Sequence, residues 1–175
     1  MNNYTFLAEI RKATEEDFYH TGKLGEEIFQ TKNDPSQQQI SKKRLEELAK
    51  SFAEGMNIIY HDKEIVGFTH LQPATITDMN EFLKGSITEE ELTQKALEKQ
   101  LTIEQAEAIY LVAAVIKEPH RRKGLAQKAY TQTINKYVPK DALLFAWTYT
   151  REGEIFTKKL EQTIKRKIYR AQQKE

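Results

Sequence analysis

The sequence predicts a single α/β domain, and three observations carry that prediction. Two β-rich runs, MNIIYHD and EIVGFTHLQ, are joined by a short polar turn. A continuous apolar run at 106–116 has the character of a strand covered on both faces. That run passes through Gly124 directly into a helical pattern, and a further apolar run, LLFAWTYT, follows it. At 175 residues the chain suits one domain spanning 1–175 better than two small ones. With 39% hydrophobic and 30% charged residues, its composition is that of a folded globular protein.

In chain order, FLAEIRK at 6–12 is a short, partly alternating strand. Thr14 and Asp17, three residues apart, form a weak capping box that opens a helix over 15–29. TKNDPSQQQ at 31–39 is a polar loop broken by Pro35. A second amphipathic helix follows, with Ile40, Leu45, Leu48 and Phe52 at helical spacing and Gly55 at its C-cap. The two β-rich runs then make a hairpin turning at Asp62 and Lys63. Residues 77–106 are charged and rich in helix formers, so they read as one or two surface helices inserted before the next strand, either a packed solvated face or a lid. Ala126, Ala129, Tyr130, Thr133, Ile134 and Tyr137 form one face of the helix after Gly124, and Pro139 stops it. The strand at 143–150 is buried. Over 156–175, which includes the basic segment 158–175, Phe156, Leu160, Ile164, Ile168 and Ala171 keep helical spacing, yet TIKRKIY also suits a strand.

Several function classes are disfavoured. Lys and Arg number 27 against 26 Asp and Glu, so there is no overall pull toward nucleic acid or anionic membrane. The absence of cysteine removes disulfides, thiolate zinc sites and cysteine nucleophiles. His20, His61, His70 and His120 lack short metal-ligand spacing, so no metal is expected. No apolar run approaches the ~20 residues of a membrane span, and the expected location is cytoplasmic.

Chemistry concentrates at EPHRRKGLA, residues 118–126. A strand, a cationic turn with one glycine, and a helix beginning at once make an anion-binding device. The first turn of a helix leaves N–H groups unpaired and carries about half a positive charge. Gly124 lets a diphosphate approach the backbone, and Arg121, Arg122 and Lys123 add charge-assisted contacts. Neither G-x-x-x-x-G-K-[ST] nor G-x-G-x-x-G is present, so two familiar phosphate loops are not supported.

The pattern Arg121-x-x-Gly124-x-Ala126 between a buried strand and a helix resembles the acetyl-coenzyme A signature of the GNAT superfamily of N-acetyltransferases. IRKATEEDF resembles the family's usual opening, and the order of elements agrees over most of the chain. The resemblance implies a mixed, mostly antiparallel central sheet flanked by helices. It implies acetyl transfer from acetyl-CoA to a primary amine of a small molecule or peptide. The pantetheine arm would lie along Ala114, Val115 and Ile116, the diphosphate on Arg121, Arg122, Lys123, Gly124, Leu125 and Ala126, and the thioester between Ile116 and Thr148. Thr157 stands where the family usually has a tyrosine acid, so Tyr149 becomes the candidate acid and Glu107 the candidate base. His70 is a second base candidate, and His120 goes with the phosphate or solvent. The missing tyrosine also admits a catalytically weak or inactive acyl-CoA sensor or scaffold. A full-length final hairpin does not fit in the residues left, so the expectation is either a truncated sheet or one completed by a second copy in a homodimer.

Overall fold

The computed structural model describes residues 8–34, 37–38, 40–148 and 150–171. Strand β1 (Glu9–Lys12) leads into helix α1 (Glu15–Phe29), and α2 spans Lys42–Phe52. The hairpin β2 (Met56–His61) and β3 (Glu64–Ala74) follows, then α3 (Ile76–Leu83) and α4 (Glu89–Glu98). The remainder is β4 (Ala108–Ile116), α5 (Leu125–Tyr137), β5 (Leu143–Ala146), α6 (Arg151–Ile164) and β6 (Ile168–Arg170). The strands form one sheet in the order β1-β2-β3-β4-β5-β6. Pairings β1–β2, β2–β3 and β3–β4 are antiparallel, whereas β4–β5 and β5–β6 are parallel. The sheet is therefore mixed and mainly antiparallel, as the family resemblance implies.

Local chemistry sets the boundaries. The Asp17 carboxylate accepts from the Thr14 N–H at 2.7 Å and the Thr14 hydroxyl at 2.8 Å, fixing the start of α1. Burial alone would raise this carboxyl, but Arg11, bonded at 2.7 Å, and Thr14 outweigh it and hold it at about 2. Asp62 and Lys63 both take positive φ in the β2–β3 turn, as a tight hairpin turn requires. The β5 strand is shorter than the apolar run at 143–150, because Trp147 and Thr148 leave the ladder. The C-terminal segment is both of the expected alternatives in turn. Helix α6 ends at Lys165, whose φ of 54° is left-handed, and the chain then adds β6 to the sheet.

Side-chain alternation divides the core between the two faces of the sheet. Ile109 and Leu111 of β4 pack with Tyr130 and Ile134 of α5 and Leu160 of α6. Ala108 and Tyr110 face Met79, Phe82 and Leu92 of α3 and α4. Farther along, Val115 joins Phe18 of α1, Leu48 and Phe52 of α2, and Phe68 of β3. Strict alternation would put 115 on the same face as 109 and 111. The change of parity comes from a bulge: His70 pairs with Ala113 and Leu71 with Leu111, which leaves Val112 as the extra residue.

Two glycines make close packing possible around this strand. A Cβ on Gly55 would lie 2.0 Å from the Leu71 carbonyl oxygen, and one on Gly67 would lie 2.4 Å from that of Val115. Gly55→Ala and Gly67→Ala should each lower unfolding free energy by about 1–3 kcal/mol in chemical denaturation. Unchanged midpoints would show that the β2–β3–β4 packing is looser than described.

Candidate active site

Beyond Leu111 the sheet opens. The β4–β5 ladder ends at the pair Leu111 and Ala146, while β4 continues to Ile116 paired only with β3. The bulge at Val112 stands at the opening. Tyr130 of α5, 1% exposed, pins it from below, with its hydroxyl 2.5 Å from the Ala113 carbonyl oxygen and 3.2 Å from that of His70. Just past the bulge, Ala114 is exposed.

The cationic loop lies at the far end of the same strand. Lys117 N–H donates to the Val66 carbonyl at 2.8 Å, and Arg121 Nε donates to the Ile116 carbonyl at 2.9 Å, so the loop is folded back onto the strand end. Arg122 and Gly124 both have positive φ, 63° and 71°. Among the described residues no side chain caps α5, and Lys128 N–H is the donor that reaches Gly124, so the N–H groups of Leu125, Ala126 and Gln127 precede the first intrahelical bond. A Cβ at Gly124 would meet nothing within 4 Å: the mouth of the helix is open space. Arg121, Arg122 and Lys123 are exposed around it. His120 packs against His61 with ring centroids 5.2 Å apart, and burial, then Lys123 and His61, push its pKa down.

On the other side of the bulge is a cleft. Phe18, Gly22 and Gly25 of α1, Leu45 and Leu48 of α2, Phe68 of β3, and Val112 and Ala113 line it. Two buried titratable groups stand in its wall, His70 and Glu89. Glu89 is the first residue of α4, where the helix dipole favours a carboxylate. Its oxygens accept from the Gln38 N–H at 2.8 Å and the Tyr110 hydroxyl at 2.7 Å, yet burial still pushes its pKa up. His70 is 2% exposed, and its Nε2 has no hydrogen-bond partner among the described residues. Burial holds the ring neutral, at about 4.

The structure thus brings together Ala114, Val115, Ile116 and the loop residues Arg121 to Ala126 along one strand end, loop and helix start. Glu107 is not among them. It is exposed at the beginning of β4, where its carboxylate accepts the Ile76 N–H at 3.1 Å and caps α3. Five residues of strand, roughly 15 Å, separate it from the bulge, so it does not reach the opening. Tyr149 lies outside the described residues. Thr157 is buried, and its hydroxyl donates to the Gly153 carbonyl at 2.7 Å, as an ordinary helical threonine does. The basic C-terminal segment is partly spent on structure: Arg166 donates to the Pro139 carbonyl at 3.0 Å, and Arg170 pairs with Glu161 at 2.6 Å. Sequence reasoning missed Glu89, which reads there as one of three surface glutamates opening a helix. Among the described residues no cluster of His, Asp or Glu is placed to hold a metal, and no helix is long and apolar enough to cross a membrane.

No family model and no curated protein matches the sequence. Solved structures do. An aminoglycoside acetyltransferase from an uncultured soil metagenomic sample, in complex with trehalose, superposes with a TM-score of 0.52 at 15% identity, covering 94% of this chain and 90% of that one. The loading GNATL domain of CurA from Lyngbya majuscula gives 0.52 at 17% identity, covering 74% of this chain and 57% of that one. Diaminobutyrate acetyltransferase EctA from Paenibacillus lautus, in complex with L-2,4-diaminobutyric acid and coenzyme A, gives 0.46 at 15%, covering 79% and 63%. The chain therefore spans about three fifths of the length of the last two. At these identities the likeness concerns architecture alone, and the first two matches show that the chain has the GNAT fold.

The neutral buried histidine has a measurable consequence. Its folded pKa lies below the unfolded value of about 6.5, so its contribution to stability is complete above pH 6.5 and is lost as pH falls toward 4. Full protonation would cost roughly 3 kcal/mol. In thermal unfolding, the drop in Tm from pH 7 to 4.5 should be smaller for His70→Gln than for the unaltered protein. Equal drops would place His70 in contact with water.

Proposed function

We propose that the protein is an acetyl-CoA-dependent N-acetyltransferase acting on a primary amine. The observation that carries this is the coincidence, on one strand, of an open β4–β5 gap and an uncapped helix mouth whose glycine leaves room for a ligand. The donors present fit a CoA diphosphate: backbone N–H groups from Leu125 onward and the Arg121, Arg122 and Lys123 cations. The backbone of Ala114, Val115 and Ile116, beyond the end of the β5 ladder, would hold the pantetheine arm by main-chain bonds, extending the sheet.

Acetyl-CoA supplies the activated acetyl group. The amine nitrogen forms a bond to the thioester carbon, the carbon–sulfur bond breaks, and the departing thiolate takes up a proton as the ammonium loses one. Glu89 replaces Glu107 as the residue we assign to accept that proton, because it lines the cleft and burial makes it more basic than a free glutamate. Catalysis otherwise rests on positioning, with the amine held on one side of the bulge and the acetyl group on the other. The second reading is an acyl-CoA binder without turnover, favoured by the engagement of the Thr157 hydroxyl with Gly153.

Calorimetric titration with acetyl-CoA should give saturable binding that Gly124→Trp abolishes. The variant should remain folded, at a cost of about 1–2 kcal/mol for a side chain in left-handed backbone. Binding unchanged by that substitution would place the diphosphate elsewhere. With an amine that is turned over, Glu89→Gln should lower kcat on the order of 100-fold or more while leaving acetyl-CoA affinity unchanged. Thiol release unaffected by Glu89→Gln would remove it from catalysis, and binding without thiol release on any amine would favour the second reading.

A further inference from the structure

The cleft beside the bulge has a chemical character narrower than "amine site". Phe18, Phe29, Ile40, Leu45, Leu48 and Phe68 give it apolar walls, and Phe29, 37% exposed, carries that character out to the surface. Its polar groups are few: Thr21, Gln37, Gln38, His70 and Glu89. Among the described lining residues Glu89 is the one with a formal charge, and none is Lys or Arg. Both Glu89 oxygens act as acceptors, from Gln38 N–H and Tyr110 hydroxyl, which fits the carboxylate form. Asp34 and Glu90 are like charges nearby, and Arg44 of α2 offsets Glu90 by pairing with it rather than with Glu89. His70 Nε2, buried in the same wall and unpartnered, is a second polar atom for a ligand to meet.

We infer that the acceptor is a monoamine with an apolar body, aromatic or aliphatic, whose single ammonium is drawn to Glu89 while the body lies against Leu45, Leu48 and Phe68. This rests on the acetyltransferase reading and narrows it. A polyamine or aminoglycoside would bring several cations into a wall that offers one carboxylate, leaving the others desolvated and unpaired. An alcohol of the same shape would lack the charge that Glu89 complements. A recognition site of this kind takes most of its affinity from apolar burial and its orientation from one or two polar groups.

The test measures binding to the protein without coenzyme first, and turnover second. By calorimetry, 2-phenylethylamine should bind at least about tenfold more tightly than 2-phenylethanol, spermidine or kanamycin, about the factor one lost charged hydrogen bond supplies. Glu89→Gln should erase the difference between amine and alcohol. Leu45→Gln, at a half-buried position that tolerates a polar side chain, should weaken both by roughly tenfold, the equivalent of two buried methylenes. With acetyl-CoA, 2-phenylethylamine and hexylamine should show higher kcat/KM than spermidine or kanamycin. Equal or better binding by the polycations or the alcohol overturns the inference, as does displacement of the amine by hexanoyl-CoA but not acetyl-CoA, which would give the cleft to an acyl chain. Selective binding of the monoamine with no thiol release would leave the cleft assignment standing and remove the acetyltransferase reading instead.

Discussion

One extra residue in β4 organises the functional half of the molecule. Inserting Val112 opposite the His70–Leu71 step reverses the facing of every later side chain in the strand. Val115 consequently packs under α1 and α2, and the strand parts from β5 after Leu111. A bulge leaves carbonyls out of the ladder, and a buried unpaired carbonyl is expensive. Tyr130 settles that cost, with its hydroxyl set between the carbonyls of Ala113 and His70. The same helix that supplies Tyr130 begins at Gly124, so pinning the bulge also fixes where the open helix mouth stands relative to the gap.

Polar groups buried near the bulge tie separate elements to it. Gln38, from the segment between α1 and α2, gives its N–H to Glu89 and its side-chain amide to Thr93 at 3.0 Å. Thr93 donates to Gln72 of β3 at 3.0 Å, and Tyr110 of β4 donates to Glu89. Helix α4 is thereby joined to β3, β4 and the α1–α2 connection through hydrogen bonds in a low-dielectric setting, where each is strong and each missing partner costly. Arg44 adds an ion pair from α2 to Glu90 of α4. The charged stretch at 77–106 is thus a wall of the cleft as well as a solvated surface, which is how a helix pair of unremarkable composition comes to contribute a buried acid.

What was legible in the sequence follows from what is local. The α1 helix over 15–29 and the turn at Asp62 and Lys63 depend on near neighbours, and both stand where pattern and turn chemistry put them. The loop around Gly124 was legible for the same reason, because strand, glycine, cations and helix are contiguous. Glu107 was misplaced because strand membership says nothing about which end of the strand opens, and that is decided by a bulge and by the length of β5. Glu89 was hidden because three successive glutamates at a helix start look alike in sequence. Thr88 and Glu91 form the capping box that sets the helix start, the Thr88 N–H donating to Glu91 at 2.7 Å, and only the packing of α4 turns Glu89 inward. His70 stands out in the sequence as a second base candidate on the hairpin, but its burial, with Phe18 edge-on to its ring at 6.2 Å, comes from packing that the sequence does not show.

The central claim is spatial: a diphosphate on the helix mouth and a thioester arm along the far half of β4. Backbone amide NMR of the protein titrated with coenzyme A reads both positions in one experiment. Large shifts are expected for the amides of residues 113–116 and 122–127, with little change in β1 and β6. Shifts concentrated anywhere else, with the amides after Gly124 unmoved at saturation, would contradict that claim.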